Sequence, residues 1–114
     1  MKTRLADFKK AAPAFAALGD PLRLGLVTRL SHEGPLSTKC LLGKTSVTRQ
    51  ALTRHLQLLE GAGIVRSQRV GRDRLWQVEP PKLIEVSTFL ERISAQWDAR
   101  LERLRSFVEE NTPK

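Results

Sequence analysis

The side chains with the most chemistry to offer lie between Thr48 and Val65, in the stretch TRQALTRHLQLLEGAGIV. At about 100° per residue, Leu52, Leu56 and Leu59 fall on one line of a helix. Gln50, Thr53, Arg54 and Gln57 fall on the opposite side, with Arg49 at its edge. That outer face carries amide, hydroxyl and guanidinium groups and no acid. Such groups bond the edges of bases and the oxygens of phosphates. Gly63 supplies a left-handed stop, and Ile64 can fold back on the helix. A helix with an apolar back and a basic, amide-bearing front is what a DNA major groove accepts. A solvated surface is the plainer reading of any such face, and the charge bias and hairpin described below favour nucleic acid. Arg49, Gln50, Thr53 and Arg54 are the candidate base readers, and a phosphate-only role stays open for Arg49 and Arg54.

A second basic group, Arg66, Arg69, Arg72 and Arg74, follows within nine residues. Charge there can protect exposed strand edges. Arg72, beside Gly71, reads better as a finger toward the minor groove or its phosphates, with Asp73 placed to orient Arg72 or Arg74. His55, at the border of the apolar stripe, is expected to be packed or capping, and His32 to sit in a surface loop. Cys40 is expected to be a buried structural thiol; the other reading is a redox-reactive thiol assisted by Lys39 and Lys44. Neither histidine has a partner at metal-ligand spacing, and one thiol cannot make a multidentate soft site. No metal and no cofactor are therefore expected. There is no paired-carboxylate, Cys/His or Ser/His/Asp arrangement, so an enzyme is not expected. GKTS at 43–46 lacks the upstream glycine of a phosphate loop.

These residues sit in a chain of 114 residues, enough for one domain with a modest core. The net charge is +8, which calls for an acidic partner. Residues 1–80 hold 14 Lys+Arg against 6 Asp+Glu, whereas residues 81–114 hold 6 of each. The excess therefore lies with the candidate reading helix. A single cysteine suits a reducing cytosol, and a cytoplasmic protein is expected. MKTRLADFKK has no apolar run after its charges, so no signal peptide is expected. No window approaches the ~20 apolar residues of a membrane span.

Stepping outward from the reading helix, Leu5, Phe8, Ala12 and Phe15 recur at helical spacing, with Pro13 expected to kink or delay that helix. Asp20-Pro21 is a start signal, a cap followed by proline at the first helical position. Leu22, Leu26, Val27 and Leu30 form the next stripe, broken at His32-Glu33-Gly34-Pro35. Ser37 can cap a short helix to about Leu42, and residues 43–46 make a turn. The period then changes. Val65 to Arg69 and Arg74 to Val78 read as a two-stranded hairpin ended by Pro80-Pro81. A long helix from about Lys82 to Glu109 carries Leu83, Val86, Leu90, Ile93, Trp97, Leu101, Leu104 and Val108 at steps of three and four, a near-heptad seam.

The pieces ALGDPLRLGLVTRL, TRQALTRHLQLLEGAGIV and VRSQRVGRDRLWQV, spread between Ala11 and Val78, resemble the ArsR/SmtB family of bacterial winged helix-turn-helix repressors. The resemblance implies a mainly α fold with a two-stranded β-wing, as a single domain over 1–114. Residues 37–62 would be the helix-turn-helix and 65–78 the wing, with 1–19 and 81–111 the dimerisation helices. Ser37 to Leu42 would be the positioning helix, Thr48 to Ala62 the recognition helix, and Gly71 and Arg72 the wing tip. It implies double-stranded DNA as partner, contacted by Ser46, Thr48, Arg49, Gln50, Thr53, Arg54, Gln57 and Arg72. It also implies a homodimer seam of Leu5, Phe8, Phe15, Val86, Leu90, Ile93, Trp97, Leu101 and Leu104. A palindromic operator would be held until an effector releases it. Where metal-sensing members carry a cysteine pair this chain has Ser37 and Lys39, and no histidine follows His55. The effector stays open between a small organic molecule, competition for DNA and none. The other reading is a winged-helix adaptor that binds nucleic acid without sequence preference, or binds protein.

Overall fold

The computed structural model describes residues 5–111; residues 1–4 of the expected N-terminal dimerisation segment, and 112–114 of the expected domain, lie outside the described residues. The order is α1 (Leu5–Leu18), α2 (Pro21–Glu33), β1 (Leu36–Ser37), α3 (Thr38–Leu42), α4 (Arg49–Gly61), β2 (Val65–Val70), β3 (Asp73–Val78) and α5 (Pro80–Glu110). Each start has a local cause. Asp20 precedes α2 with extended backbone, and its carboxylate accepts from the amides of Leu22 and Arg23 at 2.9 and 3.1 Å. Chiefly through the Arg23 amide bond, with the charge of Arg23 and the Leu22 amide bond helping, that carboxyl is held below its ordinary range. Ser37 and Thr48 cap α3 and α4 in the same manner, through Cys40 and Ala51.

The stop of α4 follows the expected chemistry. Gly63 takes φ +78° and donates to the Glu60 carbonyl, and Ile64 donates to the Leu59 carbonyl at 3.0 Å. This turns the chain so that Ile64 and Val65 enter the core. Leu52, Leu56 and Leu59, together with Leu26, Leu30, Leu41 and Trp76, complete the buried cluster. Each fully buried leucine is worth about 1.5–3 kcal/mol against leaving it in water.

The hairpin pairs Val65 with Val78 and runs to Val70 opposite Asp73. Gly71 takes φ +62° at the first of two turn positions, as a type II′ turn requires. The two-stranded wing gains a short third strand that the sequence pattern did not signal. Leu36 and Ser37 pair with Trp76 and Leu75, giving the antiparallel order β1-β3-β2. Two residues are too few for alternation to register. Two further boundaries differ from expectation. Pro80 and Pro81 begin α5 rather than closing off the hairpin, since the first turn of a helix needs no amide donors there. His32 lies exposed in the last turn of α2, which ends only at Gly34 with φ +84°. Pro13 is accommodated inside α1, which starts eight residues before it.

Helix α5 spans 31 residues, about 46 Å at 1.5 Å per residue. Its N-terminal part packs against α1. Val86 is buried, and Phe89 receives the ring edges of Phe8 and Phe15 at 5.8 and 5.7 Å. Every residue from 90 to 111 is exposed.

Two glycines close together should respond oppositely to alanine. Gly63→Ala forces a side chain into the left-handed region and brings its Cβ to 3.2 Å from the Lys82 side chain, and should cost about 1–2 kcal/mol. Gly61→Ala meets nothing within 4 Å on a helical backbone, and should gain about 0.5–1 kcal/mol. Urea unfolding of both variants checks the pair; equal effects would contradict the helix stop described here.

Candidate nucleic-acid interface

Burial of the leucine stripe leaves the opposite face of α4 in water. There Arg49, Gln50, Thr53, Arg54 and Gln57 line one shallow depression of about 490 Å³. The only carboxylate on α4, Glu60, points elsewhere. It accepts the Ser67 amide at 3.0 Å and the Ser67 hydroxyl at 2.7 Å. The outer face thus stays free of acid because its one nearby acid is engaged by the wing. Ser46 is exposed in the turn before α4. Thr48 is exposed too, but its hydroxyl oxygen accepts the Ala51 amide and so fixes where the helix begins.

The wing is anchored to α3 by an indole. Trp76 is 2% exposed, and its Nε1–H donates to the Thr38 hydroxyl on α3 at 2.9 Å. A buried N–H must have a partner, so this bond fixes where β3 crosses α3. Arg72 is exposed at the wing tip. Asp73 does not orient its neighbours; Arg74 instead donates to the Ser67 hydroxyl at 2.8 Å. The cross-strand register explains this, because Arg74 lies two ladder positions from Ser67 on the same face while Asp73 faces the other way. Arg66 is paired with Glu79 at 3.0 Å, so it is tied to the base of the wing.

His55 does pack at the edge of the apolar stripe, half-buried, and its partners were not visible in the sequence. The Arg23 guanidinium lies 3.0 Å from His55 Nδ1 and donates to the Ala17 carbonyl at 2.7 Å. Asp20 lies 4.0 Å from the same ring nitrogen. Arg23 thereby joins α1, α2 and α4. The separation of 32 positions from Arg23 to His55 carries no spacing signal from which this could have been read.

Cys40 is exposed, contrary to the expected buried thiol. On the five-residue α3, Leu41 turns inward and Cys40 falls on the outer side, 3.6 Å from the Arg29 guanidinium. Among the described residues, no three His, Cys, Asp or Glu side chains gather where they could hold a metal ion.

The seam residues divide. Val86 is buried in the chain's own core, which corrects its placement on an intermolecular face, and Phe15 is half-buried against Phe89. Leu5, Phe8, Leu90, Ile93, Trp97, Leu101 and Leu104 are all between 42% and 67% exposed. The Arg100 guanidinium stacks over Trp97 at 5.7 Å.

A helix-turn-helix domain family matches residues 18–68. The chain is similar to the HTH-type transcriptional regulator Rv2034 of Mycobacterium tuberculosis, 33% identical over 88 residues, covering 77% of this chain and 81% of that protein. Its fold is similar to an ArsR-like transcriptional regulator from Rhodococcus sp. RHA1, with TM-score 0.72, 33% identity, and coverage of 90% of this chain and 96% of that one. It also superimposes on the homodimeric winged helix-turn-helix DNA-binding domain of Mb0332 from Mycobacterium bovis, with TM-score 0.62, 20% identity, and coverage of 86% and 87%.

The Trp76 anchor can be tested directly. Thr38→Val leaves the buried indole N–H without its acceptor and should cost about 1–3 kcal/mol in urea unfolding. Thr38→Ser keeps the acceptor and should stay within about 0.5 kcal/mol of the parent. If valine is as stable as serine, the bond does not hold the wing.

Proposed function

The chain belongs to the ArsR family of winged helix-turn-helix transcriptional regulators, DNA-binding proteins, and from that premise we propose that it is a homodimeric repressor of a palindromic operator. The acid-free outer face of α4 carries this reading. Guanidinium, amide and hydroxyl groups stand together on a helix whose other side is locked in the core, so the face is rigid and can only meet something outside. Arg54 and Gln50 are exposed on that face and are assigned to base edges, with Thr53 and Gln57 beside them. Ser46, Thr48 and Arg72 are assigned to the sugar-phosphate backbone.

The homodimer is supported by the exposed seam. Leu90, Ile93, Trp97, Leu101 and Leu104 follow one another along α5 with no cover, and Leu5 and Phe8 lie on α1, which packs against the start of α5. Apolar surface of this extent on one continuous stripe marks an association site. A second copy would supply a matching stripe, as a two-fold interface requires. The dimer would set two recognition helices about 34 Å apart, in successive major grooves.

Replacing Leu90 and Ile93 by Asp should leave the helical content intact, because both side chains are exposed in the single chain. It should convert a dimer at micromolar concentration to monomer. Sedimentation showing that the unaltered protein is already a folded monomer there would contradict the seam. The two kinds of arginine should also separate. Arg54→Ala should weaken binding to a selected operator by about 1–3 kcal/mol and random duplex much less. Arg72→Ala should weaken both alike and flatten the salt dependence. Equal losses for both variants on every sequence would remove base reading from α4.

A further inference from the structure

Val78, Trp76 and Arg74 alternate along β3 and so share one face of the sheet. Trp76 is buried and Val78 packs on the core, so that face looks toward the helices. Nearer the wing tip the same face has no apolar core to cover and carries Arg74, with Arg69 directly opposite in register. The Arg74 guanidinium is held there by Ser67, which is itself held by Glu60 of α4. It forms one wall of a half-enclosed cleft of about 190 Å³. The other walls bring Thr38 and Lys39 from α3, Arg49 from α4, and Arg72 and Asp73 from the wing. Four cations against one carboxylate leave the cleft at +3. Among the described residues, Lys39, Arg49 and Arg72 have no ion pair. Thr38 accepts from Trp76, so its own hydroxyl proton remains to donate into the cleft.

Like charges gathered from three separate elements repel one another unless an anion lies between them. We propose that the cleft holds one phosphodiester of the DNA backbone, gripped jointly by Lys39, Arg49 and Arg74, an assignment that rests on the DNA-binding reading above. Arg49 is then a phosphate ligand that fixes the height of α4 over the groove, not a base reader. The same phosphate locks helix and wing to one point on the backbone. Free inorganic phosphate offers the same chemistry, and the test separates the two sources.

Lys39→Gln, Arg74→Gln, the double variant and Arg74→Lys are titrated against a labelled random-sequence duplex and a selected operator, by fluorescence anisotropy, between about 50 and 200 mM KCl. Lys39 and Arg74 are exposed, and thermal melting verifies that each variant is folded. Each glutamine variant should lower the slope of log K against log salt by about 0.9, on both duplexes alike. The double variant should lower it no further, because a single phosphate is lost. Arg74→Lys should keep the parental slope. Unchanged slopes in the glutamine variants overturn the proposal, and so does a loss of about 1.8 in the double variant, which means two separate phosphates. Inorganic phosphate shares this chemistry and should compete for the cleft, so replacing chloride by it at constant ionic strength should weaken the parent more than the double variant. Binding of inorganic phosphate that Lys39→Gln and Arg74→Gln abolish while their slopes on both duplexes stay parental assigns the cleft to the free anion and overturns the backbone assignment. If the parent binds neither duplex, the DNA reading fails first, and the result differs from a parent that binds while the variants match it.

Discussion

Trp76 is the residue on which the geometry of the proposed DNA-facing surface depends. Its ring is buried among the helices and its N–H is satisfied by Thr38. Its backbone pairs with Leu36 on one side and Ser67 on the other. A large ring that must be dry and an indole N–H that must be bonded allow one position of β3 relative to α3. From that position the rest follows along the strand. Two residues toward the tip lies Arg74, and across the ladder lies Ser67, which reaches Glu60 on α4. The wing, α3 and α4 are therefore tied to one another by buried packing and hydrogen bonds.

The helix order was legible because α2 and α4 announce themselves twice, by a stripe and by a cap, while α1 and α5 show a stripe and α3 a cap. Asp20-Pro21, Ser37 and Thr48 start helices where their side chains can accept amide bonds, and Gly63 stops one where only glycine is comfortable. The outer face of α4 was legible for the same reason, since a helix with one buried stripe has only one other side. Strand β1 escaped because two residues cannot show a period. Cys40 was misplaced because α3 has five residues, too few for a stripe to say which side is inner. Leu41 took the buried position, and the neighbouring thiol was left outside.

Contacts between distant residues were the least legible. Nothing near Arg23 points to His55, and nothing near Lys39 points to Arg74; in each case the fold brings together charges whose spacing carries no pattern. Alternation along β3 did hold a clue for Arg74, since Trp76 as a core residue puts Arg74 on the same face. Val86 shows the opposite limit. Its place in the seam spacing is correct, yet one stripe of a long helix serves two surfaces in turn. Val86 is buried against the chain itself, whereas every residue from 90 to 111 is exposed.

That bare length of α5 and the acid-free face of α4 make one joint demand, two reading helices held at a set separation. Selection of bound sequences from a random duplex pool tests it most directly. The account predicts two inverted copies of one short motif, with centres about one helical turn, 10–10.5 base pairs, apart. Enrichment of a single unpaired motif, of pairs at no fixed spacing, or of no motif at all would contradict it.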